Sequence, residues 1–134
     1  MAYWLVKTEP SSFSYADLER KKRVVWDGVK NSLALMHLRG MKKGDCALIY
    51  HSGGARALVG IAAVDSDPYP DPRGGDPKFA VVDLVPLRRL EHPVSLAAIK
   101  AEKEFAGFAL VRMSRLSVMP VPPAAWERLL SMGV

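Results

Sequence analysis

The apolar residues of this chain fall into short runs, each closed within a few positions by proline, glycine or a polar turn. Such runs predict short strands rather than long helices. They occupy 3–6, 24–26, 46–51, 57–65 and 78–84, with further strand material at 110–113 and 116–118. The turn Ser52-Gly53-Gly54 separates the runs 46–51 and 57–65, which we therefore expect to pair as a hairpin.

Capping residues predict short helices between these strands. The predicted helices and their start signals are 15–21 after Ser14 with Asp17, 32–39 after Asn31 or Asp27, 96–104 after Ser95, and 123–130 from Pro123. Gly40 and Gly133 are placed to end the second and the last of them. Because strands and helices do not alternate regularly, we predict an α+β domain with a strongly curved, mostly antiparallel sheet or small β-barrel and several short helices packed around it.

Residues 67–77 carry four prolines and two glycines in eleven positions, a composition that predicts a long loop. Long loops in compact domains are frequently functional. One alternative for the function is therefore a small-metabolite or protein-interaction module that uses this loop as its contact surface.

Length and charge limit the possible functions. The 134 residues fit a single domain over 1–134, and 19 basic against 14 acidic side chains favour an anionic partner, nucleic acid first. No apolar run approaches the ~20 residues that span a bilayer, and the N-terminus lacks the pattern of a signal peptide. Cys46 is the single cysteine and forms no internal disulfide. We expect a cytoplasmic monomer without membrane contact.

No residue pattern of a metal or catalytic site is found. The three histidines, His37, His51 and His92, are scattered, and no cysteine or carboxylate cluster stands beside them at metal-ligand spacing. His51 and Ser52 are adjacent on a strand, so they point to opposite faces and do not readily share a proton. We expect a non-enzymatic protein without metal or cofactor; an enzyme acting on nucleotides or RNA through His51 and Arg115 is the remaining alternative.

Several polar and aromatic residues stand where apolar residues would serve folding equally well. They are Lys7, Glu9, Trp26-Asp27-Gly28, Asn31, Tyr50-His51-Ser52 and Arg115. With their neighbours they resemble, in order along nearly the whole chain, the successive signatures of EVE domains. The matching segments are 4–10, 26–31, 41–45, 50–52, 59–62, 69–71 and 115–120.

The resemblance implies a PUA-like fold, similar in architecture to the YTH domains that read methylated adenine in RNA. It also implies binding of DNA or RNA that carries a modified base, for example methylated or hydroxymethylated cytosine. Some positions depart from the family pattern: Ser32 replaces an aromatic residue, Leu35-Met36 an Arg-Asn pair, Met119 a glutamine and Phe79 a tryptophan. The lost pair removes expected contacts to a nucleic-acid backbone along this helix.

The chemistry of base recognition assigns roles to these side chains. An aromatic face stacks on a base for ~1–3 kcal/mol, while amide and hydroxyl groups read the base edge. The predicted ligand-binding set is Trp26 and Tyr50 for stacking, Asn31 and Ser52 for the base edge, Lys7, Lys30 and Arg115 for phosphate or a base carbonyl, together with His51 and Ser117.

Each of these residues also has a structural interpretation. Trp26 and Tyr50 would also serve as core residues, Asn31 as a helix cap, and Arg115 as the ion-pair partner of Glu9 or Asp27. The basic run 20–23 would either complement a helix dipole or contact phosphate. The sequence leaves both interpretations open.

Overall fold

A computed structural model describes residues 1–134, the whole chain. The strands are β1 (Tyr3–Thr8), β2 (Val24–Trp26), β3 (Cys46–His51), β4 (Ala57–Val64), β5 (Tyr69–Pro70), β6 (Ala80–Ser95) and β7 (Val118–Pro120). The helices are α1 (Tyr15–Lys21), α2 (Ser32–Arg39), α3 (Leu96–Ala101), α4 (Ala109–Arg112) and α5 (Pro123–Met132), with a 3₁₀ turn at Lys103–Phe105. None of the helices is long and apolar enough to cross a bilayer.

The strands form one curled sheet in the order β2-β6-β4-β3-β1-β7, with β5 paired to β6. β1 and β3 run parallel, and all other pairs are antiparallel. The predicted α+β class and the predicted hairpin of β3 and β4 are therefore confirmed. The parallel pair places the ends of β1 and β3, at Thr8 and His51, side by side.

β6 is much longer than the predicted strand 78–84, since it continues through two prolines to Ser95. Pro86 pairs with Ala62 beside a bulge, where the register shifts between Ile61 and Ala62. A bulge is a position at which a strand tolerates the missing N–H of proline, and it also bends the strand. Pro86, which follows the predicted strand 78–84, thus lies at a bend in a longer strand.

Three other predicted elements were wrong in part. Residues 69–70 of the predicted loop form β5, an edge strand, where proline is tolerated. The run 110–113 is helical, since α4 covers Ala109–Arg112, and the last strand begins at Val118 rather than 116. The predicted helix 96–104 ends at Ala101 and is followed by the 3₁₀ turn. Short apolar runs do not distinguish helix from strand by periodicity.

The packing of α1 on the sheet depends on Tyr15 and Gly60. Ser14 and Asp17 form the predicted capping box, which starts α1 at Tyr15. The Tyr15 side chain, 1% exposed, crosses Gly60 and donates its hydroxyl hydrogen to the Ile61 carbonyl oxygen at 2.7 Å. A Cβ at position 60 would lie 2.5 Å from the Tyr15 ring. Close approach of an aromatic ring therefore requires glycine there.

A buried carboxylate, Asp45, ties the N-terminus to the core. Asp45 is 5% exposed and accepts hydrogen bonds from the Ala2 and Lys42 N–H groups and from the Trp4 indole N–H, at 2.9–3.0 Å. Burial alone would raise the pKa of Asp45, but the three hydrogen bonds outweigh it and the pKa lies below its usual value. Trp4 and Trp126 are likewise buried in the core.

Candidate nucleic-acid interface

The predicted ligand-binding residues are divided between the two faces of β1. The parallel register places Lys7 beside Tyr50 and Thr8 beside His51. Successive residues of a strand point to opposite faces, so Lys7 and Tyr50 share one face and Thr8 and His51 the other. Trp26 lies on the Thr8 side, where both line one pocket. Trp26 and Tyr50 therefore do not enclose a common ligand.

The pocket at Trp26 is small and mostly apolar. Its volume is about 170 Å³, and its lining residues are Thr8, Phe13, Val24, Val25, Trp26 and Asp27. Trp26 is 8% exposed and meets Phe13 edge to face, with ring centroids 5.9 Å apart. Pockets for drug-sized ligands measure ~300–1,000 Å³, so this one suits a single ring system. We call it the Trp26 pocket.

The proline-rich segment 67–77 lies beside the Trp26 pocket. Arg73 pairs with Asp71 at 2.9 Å and with Asp27 of the pocket wall at 3.4 Å. The Tyr69 hydroxyl donates to the Asp83 carboxylate, and this hydrogen bond raises the pKa of Tyr69 to about 12. The segment is thus attached at both Tyr69 and Arg73. The predicted alternative, a contact surface on this loop, would adjoin the same pocket.

On the other face of β1 lies a cleft of about 320 Å³. Its lining residues are Lys7, Tyr50, Ser52, Gly53, Arg56, Leu96, Lys100, Leu110 and Ser114. The Tyr50 ring is 4% exposed, and the Lys7 ammonium lies 5.5 Å from its centroid. Lys7 also donates to the Ser114 carbonyl oxygen at 2.9 Å. Burial lowers the pKa of Lys7 because no carboxylate compensates the lost hydration.

A second cleft of about 470 Å³ shares Ser114 with the first. Its lining residues are Asn31, Leu33, Arg112, Met113, Ser114, Arg115 and Leu116. Asn31 is the cap of α2, because its Oδ1 accepts the Ala34 N–H at 3.0 Å. Its amide hydrogens are not used by that bond. Arg115 takes part in none of the salt bridges of the chain, so its predicted pairing with Glu9 or Asp27 was wrong.

The remaining predicted residues have mainly structural contacts. His51 Nε2 accepts the Tyr15 N–H at 3.0 Å, and burial together with Arg89 lowers its pKa. The Ser52 hydroxyl donates to the Thr8 carbonyl oxygen at 3.3 Å. His51 and Ser52 therefore form no nucleophile and base pair. Lys30 is exposed, and Ser117 contributes its carbonyl oxygen to the Lys7 N–H at 2.9 Å.

The basic run 20–23 splits into paired and unpaired members. Arg20 pairs with Asp17, and Arg23 pairs with Asp65 and Asp83. Lys21 and Lys22 are exposed and form no ion pair within the chain. Arg20 and Lys21 lie in the last turn of α1, where they complement the helix dipole, whereas phosphate contact by this run stays a prediction.

Sequence reasoning missed several residues that line these sites. They are Thr8 and Phe13 in the Trp26 pocket and Arg56, Lys100, Arg112 and Ser114 in the two clefts. For Thr8, the alternation along β1 was an available signal, since it follows Lys7 on the opposite face. For Lys100 and Arg112 no signal existed, because they come from helices whose placement depends on tertiary packing. Nowhere do three His, Cys, Asp or Glu side chains come together as metal ligands.

The departures from the EVE pattern have distinct structural settings. Leu35 is buried, whereas Met36 is 55% exposed on α2, at a surface where a polar residue would have been available to a ligand. Met119 is fully buried and pairs with Leu5 across β1 and β7. Phe79 packs partly buried against the core. The lost polar pair therefore changes the surface at Met36 and leaves the core intact.

A curled mixed sheet with several short helices packed around it defines a PUA-like domain. Within that class the chain belongs to the EVE domain family, whose model matches residues 2–132. The resemblance inferred from the motifs is thereby confirmed.

Relatives of this chain include proteins from animals and bacteria. Thymocyte nuclear protein 1 of Rattus norvegicus is 31% identical over 164 aligned positions, which cover 97% of this chain and 73% of that protein. The NMR structure of a Rhodopseudomonas palustris protein is 43% identical with a TM-score of 0.94, covering 99% of this chain and 93% of that one. The crystal structure of human THYN1 in complex with DNA containing 5-methylcytosine is 27% identical with a TM-score of 0.89, covering 99% and 98%.

Proposed function

We propose that this domain is a non-enzymatic nucleic-acid-binding module that holds one base, with modified cytosine as the first candidate, in the Trp26 pocket. The observation that carries the proposal is the pocket itself, in which an aromatic wall stands next to polar groups of Thr8 and Asp27. The human relative solved with 5-methylcytosine DNA supports the choice of base. The net charge of +5 supports a polyanionic partner.

The pocket walls match the chemistry of a methylated base. A ring lying against Trp26 gains ~1–3 kcal/mol from stacking. Val24 and Val25 offer apolar surface to a methyl group, for which burial contributes about 0.8 kcal/mol. The Asp27 carboxylate accepts hydrogen bonds, so it favours a base with an exocyclic amino group, such as cytosine. These contributions are comparable to the few kcal/mol required to extrude a base from a duplex, so binding is of modest affinity.

Catalysis by His51 and Arg115 has no support in the geometry. Arg115 lines the second cleft, and His51 lines neither cleft. The His51 Nε2 atom is occupied by the Tyr15 N–H. We therefore propose a binding function alone.

The experiment is a fluorescence-anisotropy titration with oligonucleotides that are identical except for cytosine, 5-methylcytosine or 5-hydroxymethylcytosine at one position. A second series places methylated adenine there, in DNA and in RNA. We expect tighter binding to a modified base than to its unmodified counterpart. Equal affinity for every modified and unmodified oligonucleotide would contradict the proposal.

Trp26→Phe is the test variant, since it keeps a buried aromatic ring and shortens the stacking surface. Trp126→Phe is the matched control: Trp126 is 6% exposed, and its partner is Tyr3, with ring centroids 4.4 Å apart. We expect Trp26→Phe to reduce the preference for the modified base and Trp126→Phe to leave it unchanged. Equal effects of the two substitutions would assign Trp26 to the core alone.

A further inference from the structure

The two clefts on the Lys7 side of β1 concentrate positive charge without any acidic residue in their walls. The first contributes Lys7, Arg56 and Lys100, and the second contributes Arg112 and Arg115. They come from distant parts of the chain and meet around Ser114, which lines both clefts. We call this set the cleft cations.

The cleft cations have no carboxylate partner within the chain, a property that they share with exposed lysines such as Lys21 and Lys43. None of them lies within 4.0 Å of a carboxylate, although the chain forms ion pairs readily elsewhere. The basic side chains that do pair are Arg20, Arg23, Arg73, Lys78, Arg89 and Arg128. No carboxylate in the cleft walls neutralises this positive charge, and an anion placed there would neutralise it.

Lys7 also has fewer hydrogen-bond acceptors within the chain than its ammonium group can use. It is half-buried, and its ammonium carries three donors, of which the Ser114 carbonyl oxygen accepts one. The nearby Tyr50 hydroxyl forms no hydrogen bond within the chain, and because no buried side-chain polar atom lacks a partner, this hydroxyl is open to solvent in the cleft although the residue is only 4% exposed. Both groups line the first cleft, so both are available to a ligand with several acceptor oxygens.

Arg56 adds an independent observation from the backbone. Its φ is +45°, in the left-handed region that disfavours residues with a Cβ. Folding alone would favour glycine at this position, as at the preceding Gly53, whose φ is +73°. The backbone of this turn does not require a side chain at position 56, so a glycine variant can test what the Arg56 side chain contributes.

We propose that the two clefts form one phosphate-binding track for the phosphodiester backbone of the nucleic acid whose base enters the Trp26 pocket. The identity of this anion rests on the proposed function. Lys7 and Thr8 are consecutive residues that face the track and the pocket respectively. A strand that passes over the end of β1 thus reaches the pocket on one face and the track on the other. A phosphate supplies the several acceptor oxygens that Lys7, Tyr50 and Arg56 require.

The test measures the salt dependence of DNA binding. The variants are Arg56→Gln, Lys100→Gln and Arg112→Gln, and the matched control is Lys43→Gln. Lys43 is exposed, forms no ion pair and precedes the start of β3, whereas the clefts lie near its end. For each lost phosphate contact the slope of log K against log salt falls by about 0.7 to 0.9. We expect that reduction in the cleft variants and an unchanged slope in the control, with the preference for the modified base retained throughout.

Arg56→Gly separates binding from folding. It relieves the left-handed strain, so we expect stability in urea equal to or above that of the parent protein while DNA affinity falls as in Arg56→Gln. Parent-like DNA affinity and slope in all the cleft variants would overturn the track and leave the proposed function standing.

An absence of DNA and RNA binding by the parent protein would overturn the proposed function instead. In that case two NMR titrations, one with inorganic phosphate and one with a nucleoside monophosphate, test whether the clefts bind a small phosphate compound. Shifts confined to the clefts and abolished by Arg56→Gln would replace the nucleic-acid backbone with a free phosphate as the occupant, and would overturn the proposal as stated.

Discussion

Replacing Gly60 by alanine is the most direct test of how α1 is held on the sheet. Gly60 lies within β4 and pairs with Ile49 on one side and Arg89 on the other. The added Cβ would stand 2.5 Å from Cε2 of Tyr15, 2.7 Å from Cζ and 2.9 Å from Cδ2. Because β4 is fixed by both neighbouring strands, the Tyr15 ring must move. Its hydroxyl then leaves the Ile61 carbonyl oxygen, to which it now donates at 2.7 Å.

The expected cost follows from these two events. Overpacking a core by one methyl group costs ~1–3 kcal/mol. An unsatisfied buried hydroxyl or carbonyl costs ~1–3 kcal/mol more. Replacing glycine by alanine within a strand stabilises the folded state by ~0.5–1 kcal/mol, which offsets part of this cost. The free energy of unfolding should therefore fall by about 3 kcal/mol, which for a typical urea dependence lowers the midpoint by roughly 1–3 M.

Urea denaturation followed by circular dichroism measures this change, and Gly107→Ala is the control. No atom lies within 4 Å of a Cβ at position 107, so its effect should stay within about 0.5 kcal/mol. In a Tyr15→Leu background, Gly60→Ala should cost at least ~1 kcal/mol less, because the ring that meets the new methyl group is gone. A midpoint for Gly60→Ala equal to that of Gly107→Ala would refute the packing argument.

Three further predictions concern titratable groups. Asp45→Asn should lower the free energy of unfolding by about 2–3 kcal/mol at pH 7. Because the pKa of Asp45 is lowered in the folded state, its contribution to stability in the parent protein should be present above about pH 4 and lost as the pH falls through the folded pKa. Equal stability of variant and parent from pH 7 to 3 would contradict this. Since burial lowers the pKa of His51, parent stability should decrease as the pH falls from about 6.5, and His51→Gln should flatten that decrease when thermal melts are compared. Ultraviolet titration should show one tyrosine ionising at a pH of about 12, and this ionisation should be absent in Tyr69→Phe. The contribution of Tyr69 to stability should be present below about pH 10 and lost as the pH rises through about 12. A titration unaltered by the substitution would rule out the hydrogen bond to Asp83.

Features that depend on a few neighbouring residues were predictable from the sequence. Ser14, Asn31 and Ser95 each accept the N–H of the residue three positions later, as their cap patterns indicated. The hairpin of β3 and β4 followed from its turn. The extent of β6 was not predictable, because pairing with β4 and a bulge hold Pro86 in a strand that its local sequence disfavours.

The candidate site likewise has features that were predictable from the sequence and features that were not. The types of residue at the site, aromatic, amide and cationic, were visible in the EVE motifs, and so was the alternation of Lys7 and Thr8 along a strand. Their grouping was not visible, because it requires the parallel pairing of β1 with β3 and the packing of α3 and α4 against that end of the sheet. This arrangement separates Trp26 from Tyr50 and assembles the cleft cations from residues 7 to 115.

Local patterns thus established that the chain is an α+β EVE domain with capped helices, a β3–β4 hairpin and a surplus of basic side chains. The fold established which of those side chains face one another. The physical reason is range: caps and turns arise from hydrogen bonds over three or four residues, whereas strand register and cleft walls arise from contacts between segments far apart in the chain. The sequence alone therefore named Lys7 and Trp26 as site residues, and the fold placed one in a cationic cleft and the other in an aromatic pocket behind it.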